Sequence, residues 1–235
     1  LQHLSMFLAP SLVIAFFMKG DFYSYLDLKN KPCLVAAVLS VLFIVFLLPL
    51  NSYLAWLNAG IDLPGWLDGF ERWIDKKEMQ AERITGILMS AGNVGGLLIN
   101  LLVIAVIPAV GEEFLYRGVL QNIFARWLRS GIFAVILTAL IFSATHLQFY
   151  GFVPRFILGL GFGYIYLWSR NIWLPVLAHL TNNAIPVVLS YFMTWENINS
   201  TMDEFSSSDG ILAIIPAVIA VLIIIIIRKL SLKGD

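Results

Sequence analysis

Residues 101–120, LLVIAVIPAVGEEFLYRGVL, decide how this chain is read. The first half is an apolar run. Glu112, Glu113 and Arg117 follow directly, with more apolar residues behind them. Charge at the depth of a bilayer is costly and persists only where it is paired or used. Around this stretch, 60% of the 235 residues are hydrophobic and 13% are charged. Farther on, ILAIIPAVIAVLIIIII at 211–227 contains no ionisable residue. Long apolar runs of this kind are transmembrane helices. The expected fold is therefore all-α, a polytopic transmembrane bundle of about 7–8 membrane helices plus one interfacial amphipathic helix. It forms a single integral membrane domain over 1–235. A formal net charge of zero offers no basic patch for nucleic acid. Cys33 is the one cysteine, so an internal disulfide and a cysteine-built zinc site are both excluded. The apolar opening has neither Met nor a charged lead, and a cleavable signal peptide is not expected there.

The apolar pattern places spans at 1–18, 34–57, 84–108, 112–128, 131–149, 152–168, 172–194 and 211–227. Between them, 61–78 reads differently. Trp66, Leu67, Phe70, Trp73 and Ile74 share one helical face, and Asp68, Glu71, Arg72 and Asp75 the other. That is the pattern of a helix lying in the membrane interface. The acidic stretch at 195–209 contrasts with a tail carrying Arg228, Lys229 and Lys233. By the positive-inside rule the tail is cytoplasmic. Counting back through eight crossings puts Arg72, Lys76, Lys77, Arg83, Arg126, Arg129 and Arg170 on the same side, and Lys19, Lys29, Lys31 and Arg155 opposite. Both termini are then cytoplasmic, in a multi-pass protein expected in a bacterial inner membrane.

Three segments bring polar groups into the apolar spans. Glu113 and Arg117 are four apart and face each other one turn on, which lowers the cost of burying both. Glu112 is rotated about 100° from Glu113 and is not satisfied in the same way. Pro108, just upstream, is expected to bend or interrupt the helix and to leave backbone N–H groups near Glu112. His146 closes an apolar helix in FSATH, and His179 and Asn183 share a helix face in HLTNN. Each segment alone has a plain structural reading: a helix start, an interior histidine, or interhelical hydrogen bonds. Together they supply what hydrolysis needs. A carboxylate and an imidazole can take a proton from water, and an imidazole with a carboxamide can stabilise an oxyanion. The same residues Glu112, His146 and His179 could hold Zn²⁺ with water in the fourth position. The sequence leaves both routes open, and the HExxH signature is absent.

EEFLYR, FSATH and HLTNN resemble, in order, the EExxxR, FxxxH and HxxxN motifs of the CPBP intramembrane proteases, which include type II CAAX prenyl endopeptidases and bacterial Abi proteins. The resemblance covers a core of about 110–185 carrying the three motifs, with the flanking spans matching only as helices. It implies that Glu112 activates water with His146, that Glu113 and Arg117 hold the site, and that His179 and Asn183 stabilise the oxyanion. It also implies a membrane-associated or lipidated peptide substrate; zinc-dependent and metal-free mechanisms have both been argued for the family. The rival is a non-catalytic binding, immunity or transport protein using the same cluster. One tension stands: the charge count turns the Glu112 end outward, whereas cytosolic CaaX tails would need a site opening inward.

Overall fold

The computed structural model describes residues 4–19, 21–61, 64–89, 93–194, 197–198, 200 and 211–232. The described residues form helices and turns, with no strand among them. A π-helical turn, Leu4–Leu8, leads into α1 (Ala9–Lys19), followed by the short α2 (Phe22–Tyr25). Then come α3 (Leu34–Ala59) and α4 (Asp68–Met89). One helical run, α5 (Val94–Trp127), leads to α6 (Gly131–Ala144), α7 (Phe152–Ser169), α8 (Trp173–Phe192) and α9 (Ile211–Ser231). Three runs are long and apolar enough to cross a membrane: Leu34–Ala59, Val94–Trp127 and Leu212–Ser231.

The sequence explains the packing. On α3, Ala36, Ser40, Phe43, Ile44 and Leu47 are buried on one stripe, while Leu34, Val35, Val38, Leu42 and Val45 are exposed. On α9, Ala213, Ala220, Ile223, Ile224 and Ile227 are buried, and Ile214, Ile215, Val218 and Val221 are exposed. The two buried stripes meet against α7 and α8 in one core. An exposed surface made of Leu, Ile and Val suits acyl chains rather than water. Helix α7 is wedged between α3 and α6 because it carries glycines at 159, 161 and 163. A Cβ on Gly161 would lie 2.3 Å from the Phe43 ring, and one on Gly159 would lie 3.1 Å from Ala139. The small residues let the backbones approach closely.

Helix α5 overturns the expected division into spans at 84–108 and 112–128. Residues 84–89 finish α4, and 94–127 form one continuous helical run. Pro108 does not break it. The six residues Leu101–Val106 widen into π-helix just before the proline, and Phe114–Gln121 do so again. Such π turns absorb a local misfit within a helix. In α-helical register the carbonyl of Ile104 would accept from residue 108, which has no N–H. The group that Pro108 leaves without its helical partner is therefore a carbonyl.

Tertiary hydrogen bonds sort the helix ends. Asn30 donates to Arg170 O, Asn171 to Asn30 O, and Trp173 Nε1 to Leu28 O, at 3.0, 2.8 and 3.2 Å. At the other end, Asn58 donates to the carbonyls of Phe149 and Tyr150, and Tyr150 Oη donates to Asp75 at 2.7 Å. This corrects the charge count. Lys29 and Lys31 stand with Arg126, Arg129, Arg170, Arg228 and Lys229, whereas Arg155 stands with Arg72, Lys76, Lys77 and Arg83 on α4. The error followed from counting α5 as two crossings. Most of the acidic stretch 195–209, and Lys233, lie outside the described residues.

Helix α4 has the expected two faces. Trp66, just before it, is exposed, as are Phe70 and Trp73, whereas Ile74 is buried. Two of its acids, Asp75 and Glu78, turn to the α6–α7 turn that carries His146.

Candidate active site

The cluster begins with Arg117. Its side chain is fully buried, as is that of Glu113. One guanidinium nitrogen, Nη1, donates to Glu113 Oε1 at 2.8 Å. The other, Nη2, donates to Gly159 O at 3.1 Å. The aromatic rings of Phe142 and Phe162 flank the guanidinium carbon at 4.8 and 5.2 Å. A buried cation is tolerable when a carboxylate, a carbonyl and ring faces surround it. Gln121 repeats the pattern one turn on, donating to Gly163 O at 3.0 Å.

Glu113 also fixes His179. Its Oε1 lies 2.7 Å from His179 Nδ1. An ionised carboxylate only accepts, so the proton belongs on Nδ1 and the neutral ring offers a lone pair at Nε2. The Phe162 ring stacks on this imidazole at 5.1 Å between centroids. His146 is held in the same sense: its Nδ1 lies 2.7 Å from Phe142 O. A carbonyl cannot donate, so His146 Nε2 also bears the lone pair. Phe142 meets both imidazoles edge-on, at 5.0 and 5.9 Å.

Both Nε2 atoms face one carboxylate oxygen. Glu112 Oε2 lies 4.0 Å from His146 Nε2 and 3.9 Å from His179 Nε2. The structure thus brings Glu112, His146 and His179 together from α5, the turn after α6, and α8. A water about 2.8 Å from each atom could bridge both separations. Access is one-sided: the His146 side chain is 29% exposed, against 6% for His179 and 4% for Glu112.

Asn183 stands one turn beyond His179 and is half-buried. Its Nδ2 donates to Ile104 O at 3.3 Å, the carbonyl displaced by Pro108, while its Oδ1 accepts from Asn182 at 3.1 Å. It therefore joins α8 to the irregular part of α5 and keeps one amide hydrogen beyond these bonds.

The donor set has the chemistry of a zinc site, with two imidazole lone pairs, a carboxylate and one more buried carboxylate than guanidinium. The spacing is looser. Neighbouring ligands of a tetrahedral zinc stand about 3.3 Å apart, and no trio of His, Cys, Asp or Glu among the described residues is placed to hold a metal.

Several supporting residues escape a reading of the sequence. Tyr116 is buried one turn after Glu112, and its hydroxyl lies 2.7 Å from Thr145 Oγ1. Glu78 accepts from Tyr150 N–H at 3.1 Å and from Gln148 Nε2 at 3.3 Å. Arg155 donates to Gln148 Oε1. Two carboxylates of α4, Asp75 and Glu78, thus hold the turn that presents His146. Tyr150, outside the spans, has its phenol pushed up to about 12, chiefly because its proton is held by Asp75. The amphipathic pattern marked α4 as a helix but not the partners of its acids.

Neither a curated protein nor a solved structure matches the chain. A family model, described as type II CAAX prenyl endopeptidase Rce1-like, matches residues 94–185. That stretch runs from the start of α5 to beyond Asn183 and holds all the motif residues. Residues 94–185 therefore make up an Rce1-like type II CAAX prenyl endopeptidase domain, within an all-helical membrane protein.

Proposed function

We propose that this chain is an intramembrane endopeptidase that hydrolyses its substrate with a water activated by Glu112 and His146. The observation that carries the reading is the meeting of Glu112 Oε2 with two imidazole Nε2 atoms at 4.0 and 3.9 Å. Three acceptor atoms around one gap suit a molecule with protons to give. Glu112 takes a proton from the water, His146 Nε2 accepting the other hydrogen bond. The water oxygen then bonds to the scissile carbonyl carbon, whose C=O electrons move onto oxygen. His179, which takes a proton from solvent at Nε2 before the attack and keeps it through the cycle, and the remaining amide hydrogen of Asn183 donate to that oxyanion. Collapse breaks the C–N bond, and the leaving amine takes the proton from Glu112. Glu113 and Arg117 fix the His179 ring throughout.

A second reading, which the donor types suit although their spacing here is too wide, is that Glu112, His146 and His179 would close on a zinc ion, which would polarise the carbonyl and acidify water. Family membership supports a membrane-associated or lipidated peptide as substrate. The test uses the purified protein in liposomes with a membrane-anchored peptide, prenylated or not. Glu112→Gln keeps the shape and removes the base, so cleavage should fall on the order of 10²–10⁴-fold with the melting temperature unchanged. Undiminished cleavage by this variant would overturn the reading, and a peptide bound but never cut by the parent protein would favour a binding protein. Activity should survive chelation; loss with recovery on adding zinc would favour the second reading.

A further inference from the structure

The end of the bundle away from α4 gathers Lys29, Lys31, Arg126, Arg129, Arg170, Arg228 and Lys229, with Asp21 and Asp27 as the acids of the 21–31 segment. Asp21 pairs with Lys29 at 2.9 Å. Between the helices at this end lies a cleft of about 780 Å³, lined by Met18, Tyr25, Asp27, Asn122, Arg126 and Arg170, among others. Its two guanidiniums are held by neutral groups. Arg126 Nη2 donates to Tyr25 Oη at 3.0 Å and Nε to Asn122 O at 3.3 Å. Arg170 Nη1 donates to Asn122 Oδ1 at 3.2 Å. Neither has a carboxylate within 4.0 Å among the described residues. Asp27 faces the same cleft, but its Oδ2 accepts from Tyr166 Oη at 2.8 Å. Two cations against one engaged carboxylate leave the cleft a net charge of one positive.

The rim is built for a membrane surface. Met18, which lines the cleft, is 48% exposed, and Trp127, next in the chain to Arg126, is 72% exposed, so apolar surface accompanies the basic groups at this end. A guanidinium presents paired N–H groups that match phosphate oxygens. Basic pockets between membrane helices suit anionic lipid head groups. We infer that Arg126 and Arg170 bind the phosphodiester head group of an anionic phospholipid in this cleft, at the end of the bundle opposite α4 and the His146 turn. The inference does not depend on the proposed catalytic chemistry, because neither arginine belongs to the cluster around Glu112.

The test measures binding of fluorescent phosphatidylglycerol to the full chain in phosphatidylcholine nanodiscs. The parent protein, Arg126→Gln, Arg170→Gln and the double variant are compared, and melting temperatures check their folding. Labelled phosphatidylcholine is the neutral control, and inorganic phosphate is added as competitor. The double variant should bind phosphatidylglycerol at least about tenfold more weakly, each single variant should fall between, and added salt should weaken the parent's binding. Equal affinity of parent and folded double variant would overturn the inference. So would equal binding of both lipids, or competition by millimolar inorganic phosphate, which would make the cleft a site for a soluble anion. Should the double variant fail to fold, Lys29→Gln with Lys31→Gln is the second comparison: it removes as much charge from the same end outside the cleft and should leave the affinity within about twofold.

Discussion

The polar centre of this protein has two unlike halves. Around Arg117 the packing is closed: Glu113, the Gly159 carbonyl and two aromatic rings surround a guanidinium with no exposure, leaving Nε buried without a hydrogen-bond partner. Around His146 the enclosure is partial, and the imidazole hangs on a turn tied at the rim to α4. The contrast separates two uses of charge in an apolar bundle. The Arg117 half fixes where α5, α7 and α8 meet. The His146 half is open on one side, and its geometry depends on α4.

The sharpest way to break the comparison is to unpair the closed half. Arg117→Met leaves Glu113 buried beside His179 without its cation, and should destabilise the protein by about 3–5 kcal/mol, read by thermal unfolding in detergent micelles. Adding Glu113→Gln should recover much of that loss, because the orphaned charge is gone. A single variant as stable as the parent would mean that the pair is not the keystone of the closed half.

The open half predicts a smaller, kinetic effect. Glu78→Ala removes the acceptor for Tyr150 N–H and Gln148. It should lower kcat by about five- to tenfold, roughly 1 kcal/mol, with KM and melting temperature nearly unchanged. Glu78→Gln should fall between, since its amide oxygen still accepts. A fall in melting temperature with kcat intact would make the contact merely a tether for α4.

The smallest effect concerns Tyr150. Its phenol is raised to about 12 by Asp75, against about 10 for a free tyrosine. The folded protein thus favours the protonated phenol. Whatever this bond adds to stability is fully present below about pH 10 and is lost as pH rises through about 12. Asp75→Asn should bring the Tyr150 titration, followed by ultraviolet absorbance against a Tyr150→Phe reference, down towards the free value. No movement would show that Asp75 does not hold the proton.

The sequence makes some of this legible for physical reasons. Apolar runs and the two-faced 61–78 segment disclose an all-helical membrane bundle, because period and polarity act locally. The four-residue spacing of Glu113 and Arg117 foretells a pair, since any helix would bring them together. Other features depend on tertiary neighbours. Pro108 reads as an interruption, yet a π turn before it and Asn183 on a different helix accommodate the displaced Ile104 carbonyl. That misreading split α5 in two and reversed the sides assigned to Lys29 and Lys31 and to Arg72, Lys76, Lys77 and Arg83, while Arg155 keeps its place opposite the tail. The Gly159 carbonyl that holds Arg117 has no side-chain signature; the alternating glycines of α7 mark only that something packs closely there.

The central claim is that Glu112 and His146 act on one water. Single-turnover cleavage by Glu112→Gln, His146→Gln and the double variant, each shown to be folded, tests it most directly. Residues that act as a unit lose their effect together, so the double variant should be no slower than the slower single variant. A double variant whose loss is the product of the two single losses would mean that the residues work independently, and the shared water would have to be abandoned.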